Sequence, residues 1–400
     1  MKTTKVLVCN VGSTSLKFKL YLMPEKNLLA EGKIERVGTE EAIYYYGNPD
    51  RNLTIYEEQQ LVPDYLNGVQ RFLNDLTGEE TGAIRHVEEI EVVGFKTVLA
   101  KNYYGVHELT DEVIEGMKFY MGIAGSHNGP YMQAIEQFQK LLPSARFIGS
   151  FETGFHQTIP MERRIYGLPY EWYETYGIQR MGYHGASHGY IAGRIDEMEP
   201  EGYRMVSCHL GGSSSLCAVE NGKSVDTSFG MSLQTGILHA NRAGDTDTSL
   251  VPFLLSAGMS LEEINEGLVK RGGLYGISGV SNDLRDLEQA AKEGNERAEL
   301  AISVFVTNIV RTIGSFWAEM GGLEYLVFTG GIGENSVMIR ERVCERLKHL
   351  GVCLDRQKNL SGEKEREISA QDSAVKILVI PTNEEIEVAR RVCRYLERRK

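Results

Sequence analysis

This sequence predicts an α/β fold, and three observations carry the prediction. Short apolar runs alternate along the chain with segments of helical spacing, the pattern of strands and helices stacked in layers. One polar turn is written twice. Val6-Leu7-Val8-Cys9-Asn10-Val11-Gly12-Ser13-Thr14-Ser15-Leu16 returns as Met205-Val206-Ser207-Cys208-His209-Leu210-Gly211-Gly212-Ser213-Ser214-Ser215-Leu216, with one extra glycine. A third apolar run, Leu326-Val327-Phe328-Thr329, leads into Gly330-Gly331-Ile332-Gly333-Glu334-Asn335. Two copies of one hairpin, far apart in sequence, point to a duplicated unit facing a shared ligand.

The elements follow in order. Residues 5–22 read as strand, Gly/Ser turn and strand. Residues 28–56, rich in Tyr, Ile and Thr and broken by Gly47-Asn48-Pro49-Asp50, read as further strands. Leu61, Tyr65, Val69, Phe72, Leu73 and Leu76 keep helical spacing. Residues 90–98 are a strand candidate. Thr110 stands as the N-cap of a helix over 110–121, with Asp111 and Glu112 where the helix dipole favours acids. Residues 131–142 form another helix and 146–151 a strand, which 152–156 leave. A domain boundary is expected near 150. Beyond it, Ser260-Leu261-Glu262-Glu263 is a capping box before an amphipathic helix. Residues 296–320 are a long periodic helix stopped by Gly321-Gly322. A strand at 325–329, a helix over 337–350 ended by Gly351, a strand at 375–380 and a last helix from 383 complete the chain.

Composition narrows the function. Four hundred residues suffice for two domains with their own cores. A hydrophobic share of 42% with 24% charged residues is ordinary for a globular chain. The formal net charge of -12 argues against nucleic acid or an anionic membrane as partner. A local basic pocket for phosphate stays open. The six cysteines (Cys9, Cys208, Cys217, Cys344, Cys353, Cys393) show no CxxC spacing, which reads as buried thiols in a reducing compartment. The apolar run near the N-terminus is too short for a signal peptide, and no stretch approaches membrane-spanning length. A cytoplasmic protein is expected.

Glycine turns let backbone approach a ligand, and their N–H groups suit phosphate oxygens. In the first turn Lys17 is placed to reach a phosphate and Asn10 to hold a metal-bound water, with Ser13 and Ser15 between them. A solvated surface hairpin accounts for the same residues. In the second turn His209 and the glycines after it are the phosphate-facing candidates. The third turn opens onto a helix, a ready anion site as well as an ordinary βα loop. His184 lies between Gly182-Tyr183 and Gly185, where little packs, so a site role competes with a plain turn histidine. His188 is four residues on, but the glycine between them argues against a helix and against a zinc site. Arg242, among Ala240-Asn241 and Ala243-Gly244-Asp245, reads as an exposed arginine suited to a developing phosphoryl charge, or as one half of a surface salt bridge. Asp283-Leu284-Arg285 reads as a helix start with Asp283 as cap. Thr382 and Glu385 match a capping box, leaving Glu384 to point elsewhere, for instance toward a magnesium-water shell.

Together these segments resemble the acetate kinase family, within the sugar kinase, heat-shock ATPase and actin superfamily. The matching text is NVGSTSLKF (10–18), FETGFHQTIP (151–160), GYHGASH (182–188), CHLGGSSS (208–215), DTSFGM (226–231), NRAGD (241–245), YGISGVSNDLRDL (275–287), FTGGIGEN (328–335) and PTNEE (381–385). The resemblance implies two duplicated ribonuclease-H-like (actin-like ATPase) domains with an interdomain cleft. They would span residues 1–150 plus 386–400, and residues 151–385. It implies ATP/ADP and Mg²⁺ (with Mn²⁺ as a substitute), a homodimer, and reversible transfer of the γ-phosphoryl to a short carboxylate. Asn10 and Glu384 take the metal-associated positions. Glu152, His184 and Arg242 take the catalytic ones. Lys17, His209, Gly211, Gly212, Ser213, Asp283, Leu284, Arg285, Gly331, Ile332, Gly333, Glu334 and Asn335 take the nucleotide-binding ones.

The acceptor side departs from the family. Lys96 stands where the family carries the arginine that binds the substrate carboxylate, and loses its two-pronged grip. Glu152 replaces the family aspartate, and Gly212 its asparagine. In the acyl pocket Val98 is kept, while Ser126, Tyr183 and Leu233 replace leucine, phenylalanine and proline. Two added hydroxyls argue against plain acetate, so the expected acceptor is a larger or more polar small acid. Two alternatives stand beside it: a hydroxyl acceptor with Glu152 as base, and a non-catalytic nucleotide-binding switch.

Overall fold

The computed structural model describes residues 3–12 and 14–399, so Ser13 lies outside the described residues. The chain divides into two compact units, Met1–Gly154 with Asn383–Lys400, and Phe155–Thr382.

In the first unit the strands are β1 (Thr4–Val11), β2 (Ser15–Met23), β3 (Asn27–Glu35), β4 (Thr39–Asn48), β5 (Leu53–Val62), β6 (Val92–Phe95), β7 (Val106–Glu108) and β8 (Arg146–Ser150). They form one sheet in the order β5-β4-β3-β2-β1-β6-β8-β7. β1, β6 and β8 run parallel, with Cys9 opposite Phe95 and Phe95 opposite Gly149. The other neighbours are antiparallel. One face is filled by Phe18, Phe72, Phe95 and Phe138, with Phe18 and Phe72 stacked at 4.5 Å. On β6, a Cβ at Gly94 would meet Val392 at 3.1 Å and Val388 at 3.5 Å, so glycine there lets the last helix, Glu384–Glu397, lie close to the strand.

The second unit repeats the plan. Its strands are β9 (Arg204–His209), β10 (Ser215–Glu220), β11 (Lys223–Thr227), β12 (Tyr325–Thr329), β13 (Arg366–Glu367) and β14 (Lys376–Val379), in the order β11-β10-β9-β12-β14-β13. β9, β12 and β14 are parallel, and β9 to β11 an antiparallel meander. The run β11-β10-β9-β12-β14 thus matches β3-β2-β1-β6-β8 in order and sense, as a duplication requires. Helix Glu296–Met320 covers one face with Ile302, Phe305, Ile309 and Ile313. Helix Gly185–Met198 covers the other with Ile191 and Ile195 against Met205, Cys217 and Val327. All six cysteines are unpaired.

Several boundaries differ from expectation. Leu61 belongs to β5, and the following helix, Tyr65–Thr77, starts at the cap of Asp64, whose carboxylate accepts from Asn67 N at 2.8 Å. Helix Met121–Leu141 runs through Pro130 and is broken at Ala124 (φ -131°), a longer element than the one expected from 131. β6 stops at Phe95, short of the strand expected to 98, although Lys96 N still donates to Cys9 O at 3.1 Å and Thr97 O accepts from Glu152 N at 3.0 Å. The last helix is capped by Asn383, whose Oδ1 accepts from Ile386 N, and not by Thr382. Helix Glu296–Met320 does reach membrane-spanning length and apolarity, contrary to expectation, with a mean hydropathy of 1.4 over 18 residues. Its apolar stripe is packed into the core of this unit.

Candidate functional site

In the second unit the two glycine turns lock together. Leu210 N donates to Thr329 O (2.9 Å), and Leu210 O accepts from Ile332 N (2.8 Å) and Gly333 N (3.2 Å). Gly330 sits at φ +76°, where a Cβ would lie 2.7 Å from Leu210 O, so this crossing needs glycine. At Gly331 a Cβ would meet nothing within 4 Å, and at Gly212 only Ala240 at 4.0 Å. Their open sides border a cavity of about 590 Å³ lined by Gly211, Gly212, Ala240, Asn282, Asp283, Leu284, Arg285, Glu288, Gly331, Ile332, Asn335 and Ser336. The hydroxyls of Ser213 and Thr329, at the turns, are buried without a hydrogen-bond partner among the described residues. Buried hydroxyls of that kind call for an acceptor.

Beside the second turn stands His184. It caps helix Gly185–Met198 in the left-handed region (φ 54°, ψ 28°). The helix forms despite Gly185, because glycine at the first helical position interrupts no internal turn. His184 stacks on His209 with centroids 4.1 Å apart, and its Nδ1 lies 2.8 Å from Ser215 Oγ. Buried His239 accepts from Ser214 N at Nδ1 (3.1 Å) and reaches Thr235 O through Nε2 (3.2 Å). Burial, with the Arg242 charge, pushes its pKa down to about 3, so it stays a neutral prop for the turn.

Arg242 is half-buried rather than exposed, and its Nη1 donates to Leu233 O. Burial lowers its pKa to about 10. It makes no salt bridge among the described residues, which leaves a partly desolvated cation suited to an anion.

In the first unit the ends of the parallel strands gather polar groups. Lys96, just after β6, places Nζ 2.7 Å from Glu384 Oε2, at the first position of the last helix. Burial alone would lower the Lys96 pKa, but Glu384 and Glu152 outweigh it and leave the ammonium held above its ordinary range. Glu152, just after β8, is buried, and its N–H donates to Thr97 O at 3.0 Å. Tyr131 OH donates to Asn10 Oδ1 at 3.0 Å.

Comparison with known proteins decides the family. A sequence model of the Acetokinase family matches residues 5–390. This chain belongs to the acetokinase family. It is 43% identical over 391 residues to an acetate kinase of Shouchella clausii, covering 96% of this chain and 98% of the relative. It is 40% identical over 397 residues to one of Bacillus subtilis, covering 98% and 99%. Among solved structures it resembles the Porphyromonas gingivalis acetate kinase (TM-score 0.87, 36% identity, 98% and 100% covered). It equally resembles a propionate kinase of Francisella tularensis (TM-score 0.87, 32% identity, 97% and 98% covered). The two sheets are accordingly those of two actin-like domains, and the chain is a carboxylate kinase of this family.

Within this acetokinase chain the predicted residues separate. Gly211, Gly212, Asp283, Leu284, Arg285, Gly331, Ile332 and Asn335 line the cavity. Asp283 is also the helix cap, bonded to Arg285 N at 2.9 Å, and pairs with the Arg285 guanidinium at 2.6 Å. Glu334 is turned to local work, accepting from Gly330 N (2.9 Å) and Thr382 N (3.3 Å). Gly333 is buried against Phe328 and Cys208. Lys17 is exposed on β2 of the first unit. Ala240, Asn282, Glu288 and Ser336 line the cavity without having been singled out. Asn282 lies within the matching segment 275–287, while Ala240, Glu288 and Ser336 each adjoin a matching segment; Glu288 accepts from Ser336 Oγ at 2.6 Å. The two added hydroxyls are both engaged: Tyr183 OH donates to Met231 O, and Ser126 Oγ lies 3.0 Å from His127 Nδ1. Val98 is buried, and Leu233 is half-buried.

Proposed function

We propose that this protein transfers the γ-phosphoryl of ATP reversibly to a short carboxylic acid, yielding an acyl phosphate and ADP. The observation that carries the reading is the glycine-edged cavity of about 590 Å³ in the second unit of an acetokinase chain. Its size suits a nucleotide. Leu284 and Ile332 give the base apolar walls, and the N–H groups of Gly211, Gly212 and Gly331 suit the phosphates. Arg242 neutralises the charge of the phosphoryl in transit and His184 offers it a hydrogen bond, which is most of what such a transfer asks of a protein.

Asn10 and Glu384 offer an amide oxygen and a carboxylate, the hard donors that suit Mg²⁺ held mainly by water and phosphate. Because Lys96 already occupies one oxygen of Glu384, these residues fit the metal through its water shell rather than as a dense ligand set. Bound there, Mg²⁺ would neutralise the phosphate charge. Lys96 and Glu152 set the acceptor. With Tyr183 and Ser126 engaged elsewhere, acetate and propionate, the substrates named for its relatives, are the first acids to test. Six unpaired thiols suit a reducing compartment, so we place the enzyme in the cytoplasm; the homodimer is proposed from the family resemblance alone.

The test traps acyl phosphate as the hydroxamate, with ATP, Mg²⁺ and a panel of short acids. Trapped product with one of these acids is expected. ATP consumption with hydroxylated compounds and no trapped product from any acid would overturn the reading.

A further inference from the structure

Behind His184 lies a chain of three buried polar groups that sequence motifs do not connect. Ser215, the first residue of β10, places its Oγ 2.8 Å from His184 Nδ1 and 2.9 Å from His188 Nε2. His188, one turn into helix Gly185–Met198, places Nδ1 3.0 Å from Ser207 Oγ on β9. Ser207, His188 and Ser215 are all 0% exposed. Burial, and then the neighbouring His156 and His209, holds His188 well below the usual histidine range, so it carries a single ring proton.

A hydroxyl has one proton to give. It can accept twice, but Ser215 Oγ has no third partner among the described residues, so its own proton is bonded only when it donates to one ring and accepts from the other, and two directions then satisfy the chain. In one, Ser207 O–H donates to His188 Nδ1, His188 Nε2–H donates to Ser215, and Ser215 O–H donates to His184 Nδ1. In the other every bond reverses, and His188 donates to Ser207. The Ser207 hydroxyl has no other partner among the described residues. Reversal would thus strand its proton in a dry interior, which buried hydroxyls avoid.

We propose that Ser207, His188 and Ser215 are positioning residues that fix His184 as the neutral tautomer with its proton on Nε2, a ready donor to a phosphoryl oxygen. The inference rests on the proposed kinase function only for what His184 meets, not for the direction of the chain. Protonating His184 at Nδ1 would make Ser215 accept from both rings and leave its own buried proton without an acceptor, so the same chain opposes the imidazolium. A histidine whose tautomer is set by the partner of its other nitrogen is a familiar device.

The test uses the full chain labelled with ¹⁵N-histidine and long-range ¹H–¹⁵N spectra, which read the tautomer of each ring. His184 and His188 are expected to carry their protons on Nε2. In Ser207→Ala, His188 loses its donor and both rings are expected to mix tautomers. In Ser215→Ala, His184 alone is expected to mix, with kcat falling at least about tenfold while KM for ATP stays within about threefold. An Nδ1 proton on His184 in the unaltered chain would overturn the inference, and so would an unchanged His184 tautomer in Ser215→Ala. The spectra need no turnover. A relay seen in a chain that makes no acyl phosphate would refute the kinase reading and leave this one standing.

Discussion

Lys96 and Glu384 stand 288 positions apart in sequence and meet at 2.7 Å, one at the end of a strand and the other at the start of the last helix. Both side chains are largely buried, at 16% and 15% exposure. A lysine that is expected to grip an acceptor is therefore already paired with a residue expected to serve the metal. Removing its charge with Lys96→Met leaves a buried carboxylate beside no cation. We expect destabilisation of about 3 kcal/mol, read by urea unfolding, and loss of turnover with every short acid. Unchanged stability would mean that the pair is solvated. The double variant Lys96→Arg with Glu152→Asp is expected to raise kcat/KM for acetate, and no gain would place acceptor choice elsewhere.

Arg242 carries a half-buried charge with no salt bridge among the described residues. Arg242→Ala is expected to lower kcat by about 10²–10³-fold, the usual loss when a charge-stabilising donor is removed. Thermal stability should hold or rise slightly, because an unmatched buried charge favours unfolding. A fall in melting temperature with kcat intact would assign Arg242 a structural role only.

Two adjacent glycines should behave differently. At Gly330 a Cβ would fall 2.7 Å from Leu210 O at positive φ, so Gly330→Ala is expected to destabilise by about 1–3 kcal/mol. At Gly331 a Cβ meets nothing within 4 Å. Gly331→Val should keep stability and weaken ATP binding, measured by calorimetry. Equal effects on stability would mean that the turn is not held as described.

Another cavity of the second unit, about 480 Å³, is lined by Arg180, Asp226, Arg311 and Glu319. Burial, aided by Glu319, pushes the Asp226 pKa up from 3.8 to about 7. The folded chain keeps this proton through a window where the unfolded chain has lost it. Stability contributed here therefore falls as pH rises from about 4 to about 7, and is level above. Urea unfolding at pH 5 and pH 8 should show this difference shrink in Asp226→Asn. An equal pH response in that variant would locate the titration elsewhere.

The duplication was legible because the turn at Cys9 and the turn at Cys208 share their residues, and because glycine and serine have local reasons to be there. Helix Glu296–Met320 was legible from its period and its glycine stop. Long-range pairings were not, since nothing in the local text near Lys96 points to Glu384. The helix beginning at Gly185 was missed because glycine lowers helix propensity, although at a first turn that penalty is small. Arg242 looked exposed because its sequence neighbours are small, whereas its burial comes from the fold around it. Glu334 was read with the glycines beside it, yet its carboxylate holds Gly330 and Thr382 in place.

The central claim is that the phosphoryl group of ATP passes to a carboxylate. Phosphorus NMR of the enzyme with ATP, Mg²⁺ and acetate or propionate observes that transfer directly. An acyl phosphate resonance that grows in step with ADP is the predicted result. ADP accompanied only by inorganic phosphate, or by a phosphate ester once a hydroxylated acceptor is added, would contradict it.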